Sequence, residues 1–201
     1  MFVQALIATS LIVASYCDVK ERAVYDLVWL PALAGMAIAI IWAYPGLEFL
    51  AVKLALVGGI SLAFLIFGGI GQADAIALTF IAADPYRIPL ILPLIGGAVV
   101  ALTHISYEFA IGNARGVLTI PMEKFMREPR WIPKAVVVEG IRKKVGRDVN
   151  RAREEVEAIG ASGASVEVTY GVPTVAYLGA GYIAYLVLML LTNQAVLFKL
   201  P

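Results

Sequence analysis

Gly68-Gly69-Ile70-Gly71-Gln72-Ala73-Asp74 separates two long apolar runs and sets a single carboxylate among glycines and small residues. An aspartate at the centre of a bilayer helix costs about 2.5–3.5 kcal/mol on insertion scales. Glycines beside it let the chain bend or let another backbone approach closely. The fold therefore turns on what surrounds Asp74 and which group it works with.

The surroundings are apolar. Of 201 residues, 61% are hydrophobic and 15% charged, with a mean hydropathy of +0.85. Soluble domains carry about 25% charged residues, so the chain reads as an α-helical integral membrane protein with the lipid bilayer as its first partner. There is one cysteine, Cys17, and one histidine, His104. That rules out a disulfide within the chain and leaves no His/Cys cluster for zinc; no metal and no cofactor is expected. The apolar run 2–16 lacks a basic flank and a small-residue cleavage site, and reads as a retained first helix.

A spanning helix takes about 20 apolar residues. Apolar runs between charges and turns predict six transmembrane helices, at about 2–17, 24–43, 47–67, 74–83, 88–109 and 172–192. Turns are expected at Tyr44-Pro45-Gly46 and Asp84-Pro85-Tyr86-Arg87. The chain thus divides into 1–111 with helices 1–5, a polar segment 112–170, and 171–201 with helix 6 and the C-terminus.

Basic residues orient the bundle. Eleven of the 16 Lys and Arg lie between helices 5 and 6, and Lys20 and Arg22 lie between helices 1 and 2. Six spans put both loops on one side, which the positive-inside rule makes cytoplasmic. Both termini would then be outside the plasma membrane. The same parity brings Asp18, after helix 1, and Asp74, at the start of helix 4, to the cytoplasmic face.

The polar segment reads as a small α/β unit. Residues 135–138 and 166–170 are expected strands. Residues 147–159 form an expected amphipathic helix with Arg153 and Glu157 paired at i, i+4, ended by Gly160-Ala161-Ser162-Gly163. No aromatics alternate with the basic residues, so nucleic acid is not an expected partner.

Two carboxylates at one face are what aspartic catalysis requires. Held close, they share one proton. The ionised member takes a proton from water, and the other protonates the substrate carbonyl. The plainer alternatives stay open: Asp18 as a solvated residue beside Lys20 and Arg22, and Asp74 as a carboxylate favoured by a helix N-terminus. The dipoles predict Asp74, at a helix start, as the base, and Asp18, near a helix end, as the proton carrier.

Asp18-Val19-Lys20-Glu21-Arg22 resembles the first catalytic motif of the type IV prepilin peptidases. Gly68 to Asp74 resembles their second, the G-x-G-D element of intramembrane aspartic peptidases. Gly171-Val172-Pro173-Thr174-Val175-Ala176-Tyr177-Leu178 is similar to the start of that family's final helix. Ala73 stands where G-x-G-D has glycine, which points to the archaeal preflagellin and prepilin peptidase branch. Ile76 replaces a lysine found in many members.

The resemblance implies an aspartic endopeptidase with Asp18 and Asp74 as the catalytic pair. Gly69 and Gly71 would give backbone clearance beside the scissile bond. The substrate would be a preflagellin or type IV prepilin-like precursor, cut between a basic leader and an apolar helix. The cysteine-rich insertion linked to N-methylation is absent, so cleavage without N-methyltransferase activity is implied. His104, Tyr107 and Glu108 are read as packing or interfacial residues, Lys53 as snorkelling or paired, and Glu21 and Asp26 as solvated. The competing classes are a small ion-coupled transporter with Asp74 as its binding site, and a scaffold without chemistry. Transport without proteolysis would mark the first, and silent aspartate substitutions the second.

Overall fold

Val3, Ile7, Leu11 and Ala14 form a buried stripe along the first helix. Spacings of three and four residues keep them on one face, and this face anchors the apolar part of the molecule. The computed structural model describes residues 2–42, 46–66, 71–85, 91–146, 149–159 and 164–192. In chain order the elements are α1 (Phe2–Glu21), a 3-10 turn (Asp26–Trp29), α2 (Leu30–Trp42), α3 (Leu47–Ile66), α4 (Gln72–Ala82), α5 (Ile91–Ala110), β1 (Leu118–Pro121), α6 (Met122–Arg127), β2 (Trp131–Val138), β3 (Ile141–Lys144), α7 (Val149–Ile159), β4 (Ser165–Tyr170) and α8 (Thr174–Leu191). They form two compact units. The first comprises Met1–Asp18, Val24–Leu102 and Pro173–Pro201, and the second Val19–Ala23 and Thr103–Val172.

In the first unit the α1 stripe packs with Ala32 and Ala39 of α2, Leu50 of α3, Ala77 and Ile81 of α4, and Leu178 and Tyr182 of α8. Polar atoms close the helix ends. The Ala32 N–H, in the first turn of α2, donates to the Ser10 hydroxyl at 2.9 Å, satisfying one of the amides a helix start leaves orphaned. Trp29 stacks on Phe80 with ring centroids 5.7 Å apart.

Four helices, α1, α3, α5 and α8, are long and apolar enough to cross a membrane. The other two expected spans are shorter. α2 has 13 residues behind a 3-10 turn of 4, and α4 has 11. At about 1.5 Å per residue, α4 covers roughly half of a ~30 Å hydrocarbon core. Six spans are therefore not what the described helices amount to. Conversely, α1 continues past residue 17 to Glu21, so Asp18 lies on the helix rather than after it. The turn residues Tyr44, Pro45, Tyr86 and Arg87, and Gly160–Gly163 after α7, lie outside the described residues.

The second unit is an antiparallel sheet in the order β1-β4-β2-β3. Val166 and Val168 of β4 alternate inward as a one-sided strand requires. In β2, Trp131 and Val136 both reach the core although they lie five positions apart, an odd step. A register shift between Pro133 and Ala135 reverses the parity, as a bulge does. The strand expected at 135–138 thus begins at 131, and that at 166–170 begins at 165. β1 and β3 escape detection because they are short. β3 (Ile-Arg-Lys-Lys) is also an exposed, basic edge strand.

Charges here settle differently from the simple helical pairing. Arg153 does not form its i, i+4 ion pair with Glu157. Its guanidinium turns inward, donating to the carbonyls of Pro129 (2.7 Å) and Trp131 (3.0 Å) above the Phe125 ring. Arg151 and Glu155 pair instead, at 3.7 Å. Arg142 of β3 reaches across β2 to hold both Glu167 oxygens, at 2.8 and 2.7 Å. Those hydrogen bonds keep the Glu167 carboxyl below its ordinary range.

β2 and β3 are joined by Glu139 and Gly140, with φ of 50° and 80°. A two-residue turn with both φ positive favours Asn-Gly, and glutamate adopts that backbone at a cost. Glu139→Asn is expected to stabilise the hairpin by on the order of 0.5–1 kcal/mol. A rise in the thermal midpoint of the purified chain would register it, and an unchanged midpoint would count against the turn assignment.

Candidate active site

Asp18 continues the buried stripe of α1, four residues after Ala14 and seven after Leu11. It is half-buried. The same spacing that buries Ile7 and Leu11 therefore aims its carboxylate at the helices rather than at solvent. There it meets the start of α8. The Ala176 N–H donates to Asp18 Oδ2 at 3.2 Å.

The local sequence explains the contact. α8 begins directly after Pro173, whose side chain offers no cap, so the first-turn amides need an acceptor from elsewhere. Asp18 supplies one. Gly179 lets the two helices approach, since a Cβ there would collide with the Ser15 hydroxyl and lie 3.2 Å from the Leu11 carbonyl oxygen. The Ser15 hydroxyl donates to the Leu11 carbonyl at 2.6 Å and lies 3.4 Å from that of Val175.

Asp74 occupies the third position of α4 and folds back on the helix start. Its Oδ2 accepts the Gly71 N–H at 3.0 Å, which is the carboxylate half of a capping box. Gly71 has an ordinary extended φ of −76°. A Cβ there would sit 3.2 Å from Asp74 Oδ2. The space at Gly71 is thus taken by the Asp74 carboxylate itself. Gly69 lies outside the described residues.

The two carboxylates are near enough for the charge of Asp18 to act on Asp74. Each is held by an N–H from the first turn or cap of a helix. Asp18 consequently feels two opposed dipoles, the end of α1 and the start of α8. The start of α8 thus opposes, at Asp18, the α1 dipole from which the expected roles of Asp74 as base and Asp18 as proton carrier are read.

The neighbouring face of α4 carries a groove of about 360 Å³, bounded by Met36 of α2, Gly58, Ser61 and Leu65 of α3, and Ala75 and Thr79 of α4. Ser61 is 2% exposed, and its hydroxyl has no hydrogen-bond partner among the described residues.

The remaining candidates fall elsewhere. In the second unit His104 lies 3.4 Å from Glu108 and 3.4 Å from the Tyr170 hydroxyl, and Asn113 donates to Glu108 at 2.7 Å. The Arg22 guanidinium stands 5.8 Å from the Tyr170 ring centroid. Burial, and then the Glu108 carboxylate, push the Tyr170 phenol up. His104 and Glu108 therefore pack as a hydrogen-bonded cluster. In the first unit Lys53 is paired: its ammonium donates to the Asp84 carbonyl. Asp84, which sequence punctuation marks only as a turn, is fully buried.

Residues 5–105 match the model of a family described as the type IV leader peptidase family. The matched stretch contains both Asp18 and Asp74. No curated protein and no solved structure matches the chain.

Proposed function

Because the chain belongs to the type IV leader peptidase family, we propose that it is a membrane aspartic endopeptidase whose reacting pair is Asp18 and Asp74. What supports this is the placement of two carboxylates, one near the end of α1 and one at the start of α4, each accepting a helix-start amide and near enough for the charge of Asp18 to act on Asp74. In this reading the ionised aspartate removes a proton from water as the water oxygen attacks the scissile carbonyl. The protonated aspartate donates to the carbonyl oxygen. Collapse of the tetrahedral intermediate releases a new carboxyl and a new amine.

The substrate we infer is a preflagellin or type IV prepilin-like precursor, with a basic leader ahead of an apolar helix, cleaved without N-methylation. Sidedness supports the leader. Val19–Ala23 shares a compact unit with Thr103–Val172, which includes eleven of the 16 basic residues, so this side reads as cytoplasmic. Co-expression with leader-bearing precursors, read as a size shift, tests the activity. An intact precursor throughout would refute it.

The groove reaches Gln72 and Ala75, on either side of Asp74 in α4, and takes, in this reading, the apolar helix that follows the scissile bond. Ser61→Leu fills it. KM for a full-length precursor is expected to rise about tenfold, roughly the worth of a mismatched apolar contact. Cleavage of a short peptide spanning only the scissile bond should not change. Equal effects on both substrates would remove the groove from the reaction.

A further inference from the structure

We propose that the buried cluster around Asp84 is a positioning site that sets the spacing of Asp18 and Asp74 from the far end of their own helices. This rests on the reading of those two residues as the reacting pair.

Asp84 is 0% exposed and accepts two side-chain hydrogen bonds. Tyr182 of α8, itself 0% exposed, donates its hydroxyl to Oδ2 at 2.7 Å. Gln4 of α1, 2% exposed, donates its amide to Oδ1 at 3.4 Å. Lys53 of α3 donates to the Asp84 backbone carbonyl. One residue at the end of α4 therefore gathers α1, α3 and α8.

Three of those helices meet again at the aspartates. α1 carries Asp18, α4 carries Asp74, and α8 offers the Ala176 amide to Asp18. At about 1.5 Å per residue, Gln4 lies roughly 21 Å along α1 from Asp18. By the same rise, Asp84 lies roughly 15 Å from Asp74, and Tyr182 roughly 9 Å from Ala176. Carboxylates thus join α1 and α8 at two levels, through Asp18 and Ala176 and through Asp84 with Gln4 and Tyr182, and tie α4 to both at its Asp84 end. Apolar packing between them tolerates sliding and rotation, whereas hydrogen bonds to one carboxylate do not. An aspartate buried among apolar helices is costly unless paired, and apolar residues would fill the space more cheaply. What the polar cluster adds is a fixed register.

The test uses Tyr182→Phe, which removes one oxygen and keeps the ring. Spin labels go on Tyr16→Cys of α1 and Gln72→Cys of α4, both exposed positions, in a Cys17→Ser background. The interlabel distance is expected to shift or broaden by about 1 Å or more, and turnover of a leader-bearing precursor per folded enzyme should fall about tenfold with KM within about twofold, the signature of misplaced reacting groups. Asp84→Asn should act in the same direction; if it does not accumulate, Gln4→Met takes its place. An unchanged distance and unchanged kcat per folded enzyme in Tyr182→Phe would overturn the proposal, even with a lowered thermal midpoint, since the cluster would then only stabilise. A wild-type enzyme that cleaves no precursor would remove the pair's assigned chemistry, while the distance would still decide whether the cluster sets the spacing.

Discussion

Asp74→Asn is expected to lower leader cleavage by about a thousandfold or more while the protein inserts and folds as before. Asp18→Asn should do the same. Asparagine suits this test because each aspartate also has a structural contact, and the amide preserves it. In Asp74→Asn the side-chain carbonyl oxygen can still accept the Gly71 N–H that the carboxylate accepts at 3.0 Å, which keeps that half of the capping box. In Asp18→Asn the corresponding oxygen can likewise still accept the Ala176 N–H. What asparagine cannot do is take a proton from water or return one to the carbonyl. Alanine would confound the two roles, since losing a cap alone costs about 1 kcal/mol. Precursor processing and membrane-integrated protein are measured side by side. Full activity in either asparagine variant would leave the carboxylates as caps and end the peptidase mechanism.

Asp18 and Asp74 stand out in the sequence because a carboxylate at the edge of an apolar run is costly. Their fixings do not. Asp18 is held by a backbone amide of Ala176, and a backbone amide has no signature in sequence. The proline that leaves that amide in need is visible at residue 173, but the acceptor is more than 150 residues away. Asp84 shows the reverse failure. Asp-Pro after an apolar run reads as punctuation, and nothing local says that Tyr182 and Gln4 will close over it. The extents of the short helices were hidden for a related reason. Apolar length marks what avoids water, and α4 avoids it by packing against α2, α3 and α8 without needing the length of a span. In the polar segment β4 was readable from clean alternation, whereas β2 hid its start because the shift after Pro133 breaks the pattern.

Gly181→Ala is expected to destabilise the protein by on the order of 3 kcal/mol, whereas Gly59→Ala should stabilise it by about 0.5–1 kcal/mol. Both glycines sit inside apolar helices, and local propensity treats them alike. The difference is tertiary. A Cβ on Gly181 of α8 would run into the Pro93 carbonyl and lie 2.5 Å from the Gly97 nitrogen of α5. Gly97 faces the same crossing, since a Cβ there would lie 2.8 Å from the Tyr177 carbonyl. Those neighbours are backbone and cannot rotate away, so one methyl must push the helices apart. Small residues serve membrane helices by allowing this close approach. A Cβ on Gly59 of α3 would meet nothing within 4 Å, so alanine there removes backbone freedom from the unfolded chain without a clash. Thermal midpoints of the two purified variants in one detergent decide the matter. Shifts of the same sign would mean that α5 and α8 do not cross at these glycines. A lowered midpoint for Gly181→Ala beside a raised one for Gly59→Ala would establish the crossing that seats α8, the helix whose first turn holds Asp18.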